Sequence, residues 1–273
     1  MFELDRVLTT SEAQAWIDAA EAMNFERQGS GGAAAGEAFR DHCRVTARSP
    51  GAARQMWERS GMRDLFSRIS VDGGEALGLS GNLRLYRYAG GGRERFGRHV
   101  DGAKPDEAEV VSAADASADA AEGGKGGGGA RLVAGVTGYT VLIYLSGGGG
   151  GGGGKQEAAA SPTDRVVVPR ADQRFLGGET KFYRGSRLVA SVAPVAGKAL
   201  CHLHGYDRCL EHEAAAVASA GTKYVLRSDV VFAAPPPPPS LPGTGRVRAA
   251  AAAAARGGGG GAGGGAGGRG RRR

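Results

Sequence analysis

Apolar positions along the chain change their period once. Before residue 70 they recur at helical spacing. Thr9-Thr10-Ser11-Glu12 leads into Trp16, Ile17, Ala20 and Met23, a capping-box start followed by an apolar stripe, and predicts a helix. A second helical stretch is predicted over 55–69, where Met56, Trp57, Met62, Leu65, Phe66 and Ile69 share one face and Gly61 breaks it. These large side chains read as core. From Leu83 onward the period is that of strands. Segments 83–88, 139–145, 179–183, 187–195, 198–204 and 223–232 are short, rich in Val, Leu, Tyr and Phe, and bounded by Gly or Pro. No helical pattern separates them, so the expected fold is mainly β with N-terminal helices, an antiparallel sandwich or barrel with one sheet covered by the helical section.

Composition divides the chain further. Its 273 residues include 50 Gly and 11 Pro, crowded into 103–130, 147–174 and 233–273. The remainder is long enough for one core-bearing domain and too short for two large ones. The expected organisation is a helical support region over 1–80, a β domain over 81–232 with low-complexity inserts at 103–130 and 147–174, and a disordered Pro/Ala/Gly/Arg tail over 233–273. Inserts of this kind fall on loops, where closure entropy grows slowly with length.

The charge is instructive once located. Lys and Arg number 35 against 28 Asp and Glu, a net +7, and the seven arginines after Ala233 account for the whole excess. The folded part is neutral, so basicity argues only for weak polyanion contact by the tail. The N-terminal residues carry charge at once and no apolar run has the length of a signal peptide or membrane span. A soluble protein is expected, cytoplasmic by default. Cys43, Cys201 and Cys209 are an odd, sparse set that argues against a disulfide framework.

Five histidines carry the candidate chemistry. In Phe96-Gly-Arg-His99-Val-Asp101-Gly, residues i and i+2 of an extended segment point to the same side and can hold one metal ion together. His212, in Cys209-Leu-Glu-His212, follows two predicted strands and precedes another, where a barrel can return a second imidazole to the same mouth. Two His and one carboxylate leave three coordination positions open, which suits non-haem Fe(II) oxygen chemistry. A rival set, Cys201-x2-His204-x4-Cys209-x2-His212, has zinc-like spacings and predicts a structural module. A third reading makes the chain an interaction protein that meets RNA or protein through its tail. His202 is expected to face outward, His204 to sit beside the metal region, and His42 to lie in core, surface or a substrate-side loop.

Six ordered segments then carry a resemblance. Asn82-Leu-Arg-Leu-Tyr86-Arg-Tyr88, the His99-Val-Asp101 segment, Thr140-Val-Leu-Ile-Tyr144-Leu-Ser, Leu176-Gly-Gly178-Glu-Thr180-Lys-Phe182, Pro194-Val-Ala-Gly197-Lys-Ala-Leu, and the run from His212 through Lys223 to Asp229 together resemble the prolyl 4-hydroxylase-like branch of the 2-oxoglutarate and Fe(II)-dependent dioxygenases. The resemblance implies a double-stranded β-helix (jelly-roll) core and iron held by His99, Asp101 and His212. It also implies 2-oxoglutarate held by a basic residue on the last strand, with Lys223 at the matching position and Arg227, of the same parity, as its rival. Tyr144 and Tyr88 match the family's pocket tyrosines. The reaction so implied is O2-dependent hydroxylation of a peptide or protein substrate at proline, releasing succinate and CO2, with ascorbate as reductant.

Overall fold

A computed structural model describes residues 1–29, 33, 36–111, 129–148 and 170–234. The N-terminal half contains β1 (Phe2–Leu4), α1 (Thr10–Ala22), β2 (Glu26–Gln28), β3 (Arg40–Arg48), α2 (Pro50–Arg59), α3 (Met62–Phe66), β4 (Ser70–Val71), β5 (Gly74–Leu79), β6 (Asn82–Ala89), β7 (Arg95–His99) and β8 (Pro105–Val111). There follow β9 (Ala130–Tyr144), β10 (Thr180–Arg184), β11 (Arg187–Val192), β12 (Ala199–Leu203), β13 (Glu211–Ala214) and β14 (Thr222–Phe232).

The strands pair antiparallel in the order β1-β12-β9-β14-β6-β3-β7-β13-β10-β11. The sheet curls into a jelly roll because β3 serves two partners. Its residues 43–48 pair with β6, while Arg40 and Asp41 pair with Phe96 and Arg95 of β7. The major face thus turns into the minor one, β7-β13-β10-β11, through a single strand.

Strand parity then sorts side chains between two cores. Leu83 and Leu85 of β6, Val141 and Ile143 of β9, Cys201 of β12 and Leu226 and Val230 of β14 face outward under the helices. Ile17 of α1, Met56 and Trp57 of α2, and Met62 and Phe66 of α3 cover them. Tyr86, Tyr88, Leu142, Tyr144, Leu200 and Val225, on the alternate positions, face inward with Phe182 of β10. The inward side is the one that carries the polar chemistry.

The helices start and stop where local chemistry demands. Thr9 caps α1, accepting from the Glu12 N–H while the Glu12 carboxylate accepts from the Thr9 N–H. Gly61, at φ 77°, separates α2 from α3 by a left-handed turn that a side chain would resist. Glu21, near the end of α1, accepts from Tyr224 Oη of β14 at 2.6 Å and pairs with Arg87 of β6 at 3.0 Å. Burial opposes its charge, but the Tyr224 hydroxyl and Arg87 outweigh it and lower its pKa. Glu21→Gln is expected to cost about 1–2 kcal/mol at neutral pH. Because the depressed titration stabilises the fold only while the carboxylate is ionised, the gap from wild type closes as pH falls through it, which urea denaturation at pH 7 and pH 3 measures.

Two features depart from the sequence expectations. The 1–80 region is not only helical, since β3 is a central strand of the sheet. Its Arg-Asp-His-Cys-Arg run hid it, because both faces carry charge. The insert expected over 103–130 begins with β8, whose residues 105–111 pair with 130–136 of β9 in a long hairpin. Residues 112–128 of that insert, 149–169 of the 147–174 insert and the 235–273 part of the tail lie outside the described residues. Among the described residues no helix is long and apolar enough to cross a membrane.

Candidate metal and cosubstrate site

His99 and His212 are register partners across the β7–β13 pair, so both imidazoles leave the sheet on one side. Asp101 follows just beyond the end of β7. Its carbonyl accepts from the Gly205 N–H at 2.9 Å, and its own N–H points at Cys209 Sγ at 3.4 Å. These contacts turn the carboxylate back toward the rings. The His99 Nε2 to Asp101 Oδ1 distance is 3.9 Å and the His212 Nε2 to Asp101 Oδ2 distance is 3.6 Å. The three residues form a donor cluster able to hold one metal ion.

Both rings are held in the tautomer a metal needs. His99 Nδ1 donates to the Gly97 carbonyl at 2.9 Å and His212 Nδ1 to the Leu210 carbonyl at 3.0 Å. Each Nε2 is left with its lone pair aimed into the cluster. Phe96 stacks on His99 at 3.9 Å between ring centroids and fixes its plane. Burial lowers the pKa of both rings, so they are neutral at physiological pH.

The carboxylate is equally prepared. Burial opposes the charge of Asp101, but Arg227 beside it and the Thr140 hydroxyl hold its carboxyl well below the usual range. Arg227 Nη2 lies 3.1 Å from Asp101 Oδ1 and 3.3 Å from Asp229 Oδ1, and Thr140 Oγ1 donates to Asp101 Oδ2 at 2.7 Å. Arg84 reaches the other oxygen of Asp229 at 2.7 Å. His204 donates from Nε2 to Thr140 Oγ1 at 2.8 Å and accepts at Nδ1 from Thr137 Oγ1 at 3.1 Å, beside the donors as the sequence predicts.

Lys223 occupies the same cavity as the donor cluster. It is 1% exposed, donates to the Gly178 carbonyl at 2.6 Å, and has no ion-pair partner among the described residues. Burial pushes its pKa down to about 7. Around the ammonium stand the faces of Tyr88 and Tyr144, at 5.1 and 5.7 Å, and Tyr144 shares a 2.8 Å hydrogen bond with Thr180. Gly177 and Gly178 make this approach possible. Both have positive φ, 84° and 75°, and a Cβ on Gly178 would lie 3.2 Å from Lys223 Cδ. Of the two bases considered for 2-oxoglutarate, Arg227 is thus committed to carboxylates and Lys223 is not.

The zinc set is not assembled. Cys201 points into the outer core, where burial pushes its thiol up to about 12, and both His204 nitrogens are hydrogen-bonded. The expectation for His202 is also overturned. It is 3% exposed and faces inward, with Nε2 3.6 Å from Asp101 Oδ2 and its ring 4.3 Å from that of His212. The signal was parity, because position 202 lies on the face of β12 that also carries Leu200 toward the inner core. His42 is buried on β3 against Tyr86, Tyr88 and Phe96. Beyond it the cavity opens to a wider mouth lined by Arg40, Arg44, Arg98, Lys104 and Tyr206.

No protein-family model and no curated protein matches the chain. It is similar to the solved structure of a viral collagen prolyl hydroxylase from Paramecium Bursaria Chlorella virus-1 in its 2OG complex, with 14% identity over 85% of this chain and 94% of that one and a TM-score of 0.45. It is similar to a Trichoplax adhaerens prolyl hydroxylase in complex with a hypoxia inducible factor oxygen degradation domain peptide fragment, with 14% identity over 84% and 82% and a TM-score of 0.47. A Pseudomonas putida prolyl-4-hydroxylase has 14% identity over 84% and 91% and a TM-score of 0.43. These three of the similar structures are prolyl hydroxylases.

Proposed function

We propose that this protein is a 2-oxoglutarate-dependent, non-haem Fe(II) dioxygenase that hydroxylates an unactivated C–H bond, with a peptidyl proline as substrate. One observation carries the reading. A single cavity joins a cluster of two neutral imidazoles and a carboxylate to a buried ammonium that has no ion-pair partner among the described residues. A keto-acid with a distal carboxylate satisfies both ends, its keto-acid group at the metal and its far carboxylate on Lys223.

The chain's own residues do the positioning. His99, Asp101 and His212 would hold the ion, their outer hydrogen bonds fixing ring planes and carboxylate orientation before it arrives. When bound, iron supplies the oxidising chemistry with O2 and the keto-acid, which no side chain here can provide. Lys223 neutralises the distal carboxylate, Tyr144 and Thr180 offer it hydroxyls, and Leu142, Val225 and Phe96 keep the cavity dry. Ascorbate is the reductant that the motif resemblance implies. The proline substrate rests on that resemblance and would enter past Tyr206 and Arg98 at the wide mouth.

Proline-containing peptides are expected to raise succinate yield from 2-oxoglutarate and to gain one oxygen at proline by mass spectrometry. Succinate release that such peptides leave unchanged, with no added oxygen, removes proline as the substrate and leaves the reaction class.

A further inference from the structure

We propose that the wide mouth beyond the donor cluster receives an acidic peptide, a side-chain carboxylate of which pairs with Arg44 while a peptide group of the same chain completes His42 Nδ1. The inference rests on the reading of the inner cavity as an oxygenase site and names the class of substrate that site takes. The mouth and the inner cavity share Tyr86, Phe96, His99, Asp101 and Arg227, so a chain lying in the mouth presents its residues to the donor cluster.

Two observations carry it, and the first is charge. Arg44 pairs in register with Tyr86, two residues beyond Arg84 on β6, and Arg84 pairs with Arg227 on β14, so three adjacent strands each bring one arginine to the mouth. Arg227 is taken by Asp101 and Asp229, and Arg84 by Asp229. Arg40 meets Glu37 at 3.7 Å, Arg98 meets Glu211 at 3.7 Å and Lys104 meets Asp106 at 3.5 Å, whereas the half-buried Arg44 meets no carboxylate among the described residues. A guanidinium in that state gains most from an arriving carboxylate, which matches its fork of N–H donors. The second observation is an orphan. His42 is 1% exposed, and its Nδ1 is one of three buried side-chain polar atoms with no hydrogen-bond partner among the described residues. Burial and the flanking charges of Arg44 and Arg40 lower the ring's pKa to about 4, so it is neutral at physiological pH. A peptide N–H or carbonyl completes that nitrogen, whichever its tautomer requires. His42 and Arg44 lie two residues apart on β3, about 7 Å, so the carboxylate belongs within about two residues of that peptide group.

Other occupants suit the mouth less. Six cationic side chains line it against three carboxylates, and the chain's own Pro235–Pro239 is followed by seven arginines and no acid, so like charge disfavours the tail. Nucleic acid would bring a continuous run of phosphates against Glu37 and Glu211, which stand among the arginines. A peptide places its carboxylates singly.

The test reads binding without turnover. Anaerobic protein, as the full chain supplied with Fe(II) and 2-oxoglutarate, is titrated into fluorescein-labelled proline peptides that differ only in carrying Glu or Gln beside the proline, and into a single-stranded RNA of similar length. The Glu peptide is expected to bind about 10-fold more tightly than the Gln peptide, a margin that shrinks as salt is added. Arg44→Gln should remove most of that margin, and His42→Phe should weaken both peptides by about 10-fold while keeping it. Equal affinity for the two peptides, or tighter binding of the RNA, would overturn the assignment, and an unchanged margin in Arg44→Gln would do so even if His42→Phe fails to fold. Admitting O2 then scores succinate. None, with the Glu margin intact, overturns the oxygenase reading and not the peptide preference, whereas succinate with equal peptide affinities overturns the preference alone.

Discussion

Lys223→Met is expected to weaken 2-oxoglutarate binding by roughly 30-fold or more, the cost of about 2–5 kcal/mol for removing one partner of a buried charge pair. Lys223 is fully enclosed and the Gly178 carbonyl is its only hydrogen-bond partner among the described residues, so a bound carboxylate is the counter-charge it lacks. The same burial makes binding pH-dependent. With the free ammonium titrating at about 7, binding of an anion takes up a proton above that pH, and affinity falls as pH rises from 7 to 9. Calorimetry in buffers of different ionisation enthalpy reads both effects. A pH-independent affinity shared by wild type and variant would show that Lys223 does not hold the ligand.

The substitution carries an opposite effect on the fold. A lysine titrating at about 7 when folded and near 10.5 when unfolded penalises the folded state fully below pH 7, and the penalty fades as pH rises toward 10.5. At about 1.4 kcal/mol per pKa unit, several kcal/mol of stability are withheld at neutral pH. Lys223→Met is therefore expected to be more stable than wild type in the absence of ligand, with the difference shrinking between pH 7 and pH 10. A variant that loses affinity while gaining stability separates binding from structural damage.

Arg227→Met is expected to destabilise the metal-free protein by about 3–5 kcal/mol. The guanidinium is shared by Asp101 and Asp229, both buried, and its removal leaves Asp101 without an ion-pair partner of fixed charge among the described residues. Arg84 still reaches Asp229, so most of the loss falls on Asp101. Restoring neutrality with Asp101→Asn in the same chain should recover a large part of it, and the double-mutant cycle by urea denaturation gives the coupling. Additive effects in that cycle would mean that the ion pair does not operate in solution.

Much of this architecture is legible in the sequence because the inner and outer cores of the barrel differ in chemistry. On β14, Tyr224, Leu226 and Val230 alternate with Lys223, Val225, Arg227 and Asp229, and period two alone assigns the faces. His99 and Asp101 are readable for the same reason. β3 escaped because Arg40, Asp41, Arg44 and Arg48 give a strand the composition of a loop, and its burial comes from partners far away in sequence. β13 is four residues long, too short for a pattern, though it delivers His212. His202, expected to face outward, sits instead on the face of β12 that carries Leu200 into the inner core, while the strand sends Cys201 to the opposite core. The choice between Lys223 and Arg227 is a matter of counter-charges, and Asp101 and Asp229 become neighbours only in the folded chain.

The most direct test is succinate release from 2-oxoglutarate by anaerobically iron-loaded protein on addition of O2, with wild type and His99→Ala compared side by side. Turnover that requires iron, and falls at least 100-fold in His99→Ala, is the expected result. Equal succinate from the two proteins, or none from wild type carrying a full complement of iron, would contradict the assignment of this cavity to iron and 2-oxoglutarate.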